Sequence, residues 1–306
     1  MENKEVLNTN NVITIGKRKK IIMLIVKLVV TGIFAAIAIL GGSVVGDLII
    51  GRLDTFDPTK YDAASYKETT TNIQMWRNQN INSLSPTQIF VVAENKMLDC
   101  EYYAIYTKGY NGGEKGVVTT FGGMQQDLYG YRYRKNGMGY FDYFSTGLKN
   151  VAKKVEFVFG DNRYFCYEGT VNGSDTIWKL NLTANGTEYR NAVEYEEMVG
   201  CNAENAIDYI VSTKTVLTEK KNEKVGELYS FTLTLNPSTA VLNYVKKMNY
   251  MSGFGYPKFS SVELRFEVDE DMNFQNIYIN ESYKVIGMDA KSKYKMEFTY
   301  ENVEER

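Results

Sequence analysis

Three segments toward the C-terminus alternate strictly between apolar and polar residues, and that period of two limits what the chain can become. Val262, Leu264, Phe266 and Val268 alternate with Glu263, Arg265, Glu267 and Asp269. Tyr294, Met296, Phe298 and Tyr300 alternate with Lys293, Lys295, Glu297 and Thr299. Tyr229, Phe231, Leu233 and Leu235 alternate with Ser230, Thr232 and Thr234. Successive side chains of a strand point to opposite faces, so each segment predicts a strand with one dry and one wet face. That is the habit of antiparallel sheets.

Weaker strand signals run over 101–107, 116–121, 129–134, 140–144, 155–159, 163–168 and 176–182. Turn chemistry separates them at Asn111-Gly112-Gly113, Asn136-Gly137, Gly160-Asp161-Asn162, Asn172-Gly173 and Asn185-Gly186, the last two read as tight hairpin loops. A sheet this large needs cover for its apolar face, and three amphipathic segments offer it. The first opens at Ser85-Pro86-Thr87-Gln88, an N-cap with Pro at N1 and a capping-box Gln at N3, and carries Ile89, Val92, Ala93 and Met97 on one face. The second is predicted from Asn236-Pro237 to a stop at Gly253, with Val241, Tyr244, Val245 and Met248 as its stripe. The third is predicted over 203–212, capped by Asn202, with Ile207, Ile210 and Val211 buried. The expected fold is α+β: a curved antiparallel sheet with helices packed on its apolar face, preceded by one transmembrane helix. Incomplete filling of such a curved sheet would leave a greasy cavity.

The membrane segment is read from residues 28–46, nineteen positions without a charge. As a helix rising 1.5 Å per residue they would span ~28 Å, close to the hydrocarbon thickness of a bilayer. Lys17-Arg18-Lys19-Lys20 precedes it, so the positive-inside rule keeps the N-terminus cytoplasmic and translocates the rest. The expected organisation is a basic tail over 1–20, a transmembrane helix over 21–50, a linker and domain entry over 51–84, and an extracytoplasmic β-rich domain over 85–306. Ala36-Ile37-Ala38 also fits signal-peptide cleavage, but apolar character continues to Ile49-Ile50, which favours an uncleaved anchor. Ala38, Gly42 and Gly46 form a small-residue stripe suited to close helix–helix approach, and so to a homodimer, although Gly/Ala-rich spans produce such spacing by chance.

Composition narrows the chemistry. Histidine is absent, which removes Ser-His-Asp and Cys-His sites and the commonest metal ligand. Three cysteines, Cys100, Cys166 and Cys201, lack zinc-type spacing and read as small buried hydrophobes, with a single disulfide as the alternative. Net charge is −2, with a +3 excess in residues 1–20, so the remainder is mildly acidic and offers no footprint for nucleic acid. Asp269-Glu270-Asp271-Met272-Asn273 resembles the start of a calcium loop, but Phe274 and Asn280 stand where an EF-hand needs Gly and Glu, so an acidic hairpin loop is expected. Glu194, Glu196 and Glu197, like Lys220, Lys221 and Lys224 around a polar turn, read as solvated charge. Neither glycine-rich phosphate motif occurs, and no cofactor or metal is implied.

Tyr129, Tyr131 and Tyr133 share one strand face, and Phe141 and Tyr143 continue the aromatic theme across an expected hairpin. They could form an amphipathic ligand wall, or ordinary cross-strand packing. Residues 228–300 then run strand, helix after Asn236-Pro237, and three closing antiparallel strands. That order resembles the later part of LolA/RseB-like half-barrel envelope proteins. The resemblance implies a curved sheet with helices inside its concave face and a lipid- or lipoprotein-binding role; the anchor is a departure, because carriers of that type are soluble or lipidated. The expected function is a membrane-anchored, non-enzymatic envelope protein binding a hydrophobic ligand or a partner protein. The alternative is a structural or sensory subunit that associates through its spanning helix, and a carboxylate-based hydrolase ranks third.

Overall fold

A computed structural model describes residues 56–306 except 116–124, 147–149, 173–174, 254, 286–287 and 306. The basic tail, the spanning segment with Ala38, Gly42 and Gly46, and the strand expected over 116–121 lie outside the described residues. Among the described residues no helix is long and apolar enough to cross a membrane.

Among the described residues eleven strands form one open antiparallel sheet. They are β1 (Tyr103–Lys115), β2 (Gln125–Lys135), β3 (Met138–Thr146), β4 (Val151–Val158), β5 (Tyr164–Asn172), β6 (Asp175–Leu180), β7 (Val216–Lys221), β8 (Tyr229–Leu235), β9 (Lys258–Val268), β10 (Phe274–Val285) and β11 (Met288–Thr299). Their order is β6-β5-β4-β3-β2-β1-β11-β10-β9-β8-β7. Two meanders therefore meet where the first strand pairs with the last, Ile105 opposite Phe298 and Gly109 opposite Tyr294. That junction requires glycine: a Cβ on Gly109 would lie 2.2 Å from Cβ of Tyr294. At the β2–β3 hairpin, Asn136 and Gly137 take the positive φ values (52° and 77°) that a two-residue turn needs.

Four α-helices accompany the sheet in the described residues: α1 (Thr70–Arg77), α2 (Pro86–Asp99), α3 (Ala192–Val199) and α4 (Leu242–Ser252). The capping box of α2 forms as the sequence predicts, Ser85 Oγ accepting from Gln88 N–H and Gln88 Oε1 from Ser85 N–H at 2.9 Å. Ile89, Val92 and Ala93 are completely buried and Met97 nearly so, and Phe90 meets Phe266 and Phe274 edge-on at 5.2 and 5.0 Å. Each of the larger side chains contributes roughly 1.5–3 kcal/mol by leaving water. This main core joins α2 to β1 and β8–β11. A smaller one joins α3 to β4 and β5 around Phe157, Tyr164, Tyr195 and the free thiols of Cys166 and Cys201.

The structure corrects several local readings. Residues 203–212 form successive turns instead of a helix, because side chains satisfy the backbone locally. Asn202 Oδ1 accepts from Glu204 N–H, and Thr215 Oγ1 donates to the Ile210 carbonyl at 2.6 Å. The apolar residues are still buried, so a helical spacing is met by irregular backbone. The helix of that region lies earlier: Asn191 and Glu194 form a capping box, and Gly200 at φ 86° ends α3. The helix expected after Asn236 starts later, at Leu242. Asn236 Oδ1 instead accepts from Ser238 and Thr239 N–H in a preceding turn, and Gly253 ends the helix as expected. Asn111-Gly112-Gly113 is no turn but the interior of β1, with a bulge after Gly113. Asn185-Gly186 makes a tight turn, the Gly186 N–H bonding the Thr183 carbonyl, but outside any hairpin. Lys220 and Lys221 belong to the edge strand β7, where exposed charge discourages further strand pairing.

Candidate functional site

Between the sheet and α4 lies a cavity of about 220 Å3 with a mostly apolar wall. Its helical side is the i, i+3, i+4, i+7 stripe Tyr244, Lys247, Met248 and Met251, and the turns over 206–209 complete that side. Opposite stand inward-facing residues of β1 to β4, β10 and β11.

Strand register decides which aromatic residues face this space. Arg132 pairs with Phe141 and Gly130 with Tyr143, so all four stand on the cavity face. Phe141 receives two cations: the Arg132 guanidinium 4.7 Å and the Lys247 ammonium 4.0 Å from its ring centre. Lys247 also pairs with Asp208 at 2.7 Å, and Arg132 donates to the Ala203 carbonyl. Burial pushes the Tyr143 hydroxyl up to about 12.

Tyr131 and Tyr133 project from the other face. The Tyr131 ring lies 4.6 Å from Tyr106, 5.7 Å from Tyr133 and 6.3 Å from Tyr140, and its hydroxyl donates to the Glu304 carbonyl at 2.6 Å. Tyr133 stacks on Tyr140 at 5.2 Å. Tyr129 alternates onto that same face and is partly exposed; it and Tyr131 border the cavity where they flank Gly130. The five aromatic residues therefore do not make one wall. Parity separates them, because in the β2–β3 pairing an odd-numbered position of β2 always faces an even-numbered one of β3.

The polar end of the cavity rests on a residue that pattern reading passed over. Glu281 follows Ile277 and Ile279 in the buried register of β10, which places a carboxylate on the dry face, 1% exposed. The Tyr209 hydroxyl donates to Oε2 at 2.5 Å and the Tyr244 hydroxyl to Oε1 at 3.1 Å. Ser292, its cross-strand partner on β11, also bonds the carboxylate. Tyr294 meets the Tyr209 hydroxyl at 2.6 Å, and Tyr283 meets Ser292 at 3.3 Å. Desolvation pushes the Glu281 carboxyl up to about 7 against the relief these hydroxyls supply. Burial first, and the Glu281 charge second, hold the Tyr209, Tyr244 and Tyr294 phenols well above their ordinary range, so all three stay protonated donors. The signal in the sequence was an acid sitting in phase with an apolar alternation.

The acidic run 269–273 is a hairpin loop in which Asn273 donates to both oxygens of Asp269. Among the described residues no cluster of acidic, Cys or His side chains could hold a metal.

The fold and site define a class, an open antiparallel sheet with helices on one face and a cavity between them. No family model and no curated protein matches the chain. Among solved structures, an N-terminal dehydratase from the difficidin assembly line is 9% identical, over 69% of this chain and 82% of that one, with a TM-score of 0.13. A score that low carries no argument about fold or function.

Proposed function

We propose that this protein is a membrane-anchored, extracytoplasmic binding protein of the cell envelope that holds a lipid or other hydrophobic small molecule, without catalysing its turnover. The observation behind this reading is the cavity of about 220 Å3 between α4 and the sheet, mostly apolar and polar at one end. An engineered apolar cavity of roughly 150 Å3 already takes up benzene, so this one has room for more than a single ring. Orientation of a bound molecule would come from the few polar groups, as is usual in such pockets. Strand, helix and three strands over 228–300 support kinship with LolA/RseB-like half-barrel proteins. The membrane half of the proposal rests on residues 28–46 and the basic cluster before them.

Two experiments test it. The full chain, purified from membranes, is extracted and its small molecules identified by mass spectrometry beside an Ala290→Phe variant, whose ring would occupy the cavity. A stoichiometric apolar compound in the native protein that is depleted in the variant is expected; an empty native protein would end the binding reading. Protease added outside intact cells should digest the C-terminal domain, and its protection would refute the topology.

A further inference from the structure

Taking the cavity as a ligand site, we propose that its occupant is an amphiphile whose head donates hydrogen bonds, a hydroxyl or a primary amine, and that this head docks on the Glu281–tyrosine cluster. The inference comes from counting protons. Five hydroxyls surround Glu281, and each has a single proton to give. With the carboxylate ionised, Tyr209, Tyr244 and Ser292 donate to it. The Tyr209 proton being directed there, the 2.6 Å contact between Tyr209 and Tyr294 must use the proton of Tyr294. The Ser292 proton is likewise engaged, so its contact with Tyr283 uses the proton of Tyr283. Tyr294 also bonds Tyr244, and Tyr283 also bonds Asn111, so the contacts of the cluster outnumber its five protons, and those of Tyr209, Tyr244 and Ser292 point to the acid.

What the cluster itself offers the cavity is lone pairs. The phenol oxygens of this end can accept but have nothing left to donate. Charge acts in the same direction. The carboxylate is buried, and the nearby ammonium of Lys247 is held by Asp208, while Arg132 is turned to the Ala203 carbonyl. A carboxylate or phosphate head placed on this cluster would meet the Glu281 charge and phenol lone pairs, leaving its own oxygens and the phenols unpaired in a dry site, which costs heavily. A hydroxyl or ammonium meets its complement. The apolar residues beyond this end, such as Phe141, Met248 and Met296, suit the body of the molecule.

The test uses the full chain in lipid nanodiscs, with empty nanodiscs as the blank, at about pH 8.5 so that Glu281 is ionised. Toluene, benzyl alcohol, benzylamine and benzoate share one ring and differ only in the head, and ligand-observed NMR titration ranks them. The expected order is benzyl alcohol and benzylamine tightest, toluene next, and benzoate weaker than benzyl alcohol by about tenfold or more. Benzoate binding as well as benzyl alcohol would overturn the inference. Toluene binding with no discrimination among heads would overturn it too, yet leave the cavity as a ligand site. No binding by any probe would remove both readings. Glu281→Gln puts an amide donor in the network, and Tyr294→Phe removes its outer phenol while keeping the ring. Either should shrink the preference for benzyl alcohol over benzoate. Should the glutamine variant fail to melt cooperatively, the phenylalanine variant and the native series decide, and an undiminished preference there counts against the proposal.

Discussion

The Tyr209 hydroxyl donates a 2.5 Å hydrogen bond to Glu281 Oε2, joining an irregular turn to the middle of a β-strand seventy-two positions later in the chain. Glu281 also accepts from Tyr244 and Ser292, and the Tyr209 oxygen also meets Tyr294. The phenol is buried beneath α4, and the carboxylate sits 1% exposed on the dry face of the sheet.

Tyr209→Phe should therefore destabilise the protein by about 1–3 kcal/mol, the usual cost of leaving a buried acceptor short of a partner. The loss should be greater above pH 7 than at pH 5, because only the ionised carboxylate depends on all its donors. Urea denaturation at the two pH values measures this. An equal loss at both would show that the hydroxyl does not serve the charge.

Stability itself should fall as pH rises through the range set by Glu281. Its carboxyl is pushed up to about 7 in the folded protein from an ordinary 4.5. Between those values the folded chain keeps a proton that the unfolded chain releases, so this group favours folding most below pH 4.5 and contributes a growing penalty up to about pH 7. The total is on the order of 3 kcal/mol. Glu94 on α2, raised by burial to about 7, acts in the same direction. Glu281→Gln should flatten the curve between pH 5 and 8 by its own share. A variant whose slope matches the native protein would contradict the assignment.

Gly109→Ala should damage the junction of the two meanders. The added methyl would lie 2.2 Å from Tyr294 Cβ and 2.3 Å from the Lys293 carbonyl oxygen, so backbone must move. A loss of roughly 1–3 kcal/mol is expected, together with disturbance of the Tyr294 phenol at the cavity. Thermal melting gives the first quantity, and the head-group preference of bound probes reports the second.

Helix α2 is held at its start by a residue from the far edge of the sheet. Glu219 on β7 accepts from Thr87 N–H at 2.9 Å and from the Thr87 and Ser85 hydroxyls. Glu219→Ala should cost about 1 kcal/mol, the scale of a lost N-terminal cap, with hydrogen exchange rising first in the opening turn of α2. Unchanged exchange there would mean that the capping box of Ser85 and Gln88 suffices.

The two faces of the β2–β3 hairpin should separate in function. Phe141→Ala, on the cavity face, should weaken binding of toluene several-fold. Tyr133→Phe, on the opposite face against Tyr140, should leave it unchanged while folding normally. A reversed result would return the tyrosines to the role of ligand wall.

Much of the local structure was legible in the chain. Alternation in 229–235, 262–268 and 294–300 located β8, β9 and β11, and Ser85 through Gln88 located the start of α2. These depend on neighbours within a few positions, where side-chain direction and backbone satisfaction decide the outcome. The same reasoning misread 203–212, because apolar residues at helical spacing are buried equally well by turns once Asn202, Ser212 and Thr215 satisfy the backbone. It also passed over the capping box Asn191–Glu194 beneath an apparent run of solvated acids.

The amino-acid sequence by itself determined a β-rich domain with one dry sheet face and helices to cover it, since water sorts side chains whatever the topology. Only the tertiary structure decided that the first strand lies beside the last, that Phe141 and Tyr133 face opposite ways, and that Glu281 is ringed by hydroxyls. The β10–β11 hairpin supplies three of those hydroxyls, and the turns over 206–209 and α4 bring the other two from 72 and 37 positions before Glu281. No local pattern encodes their meeting, because it follows from register and strand order, which the whole chain sets together.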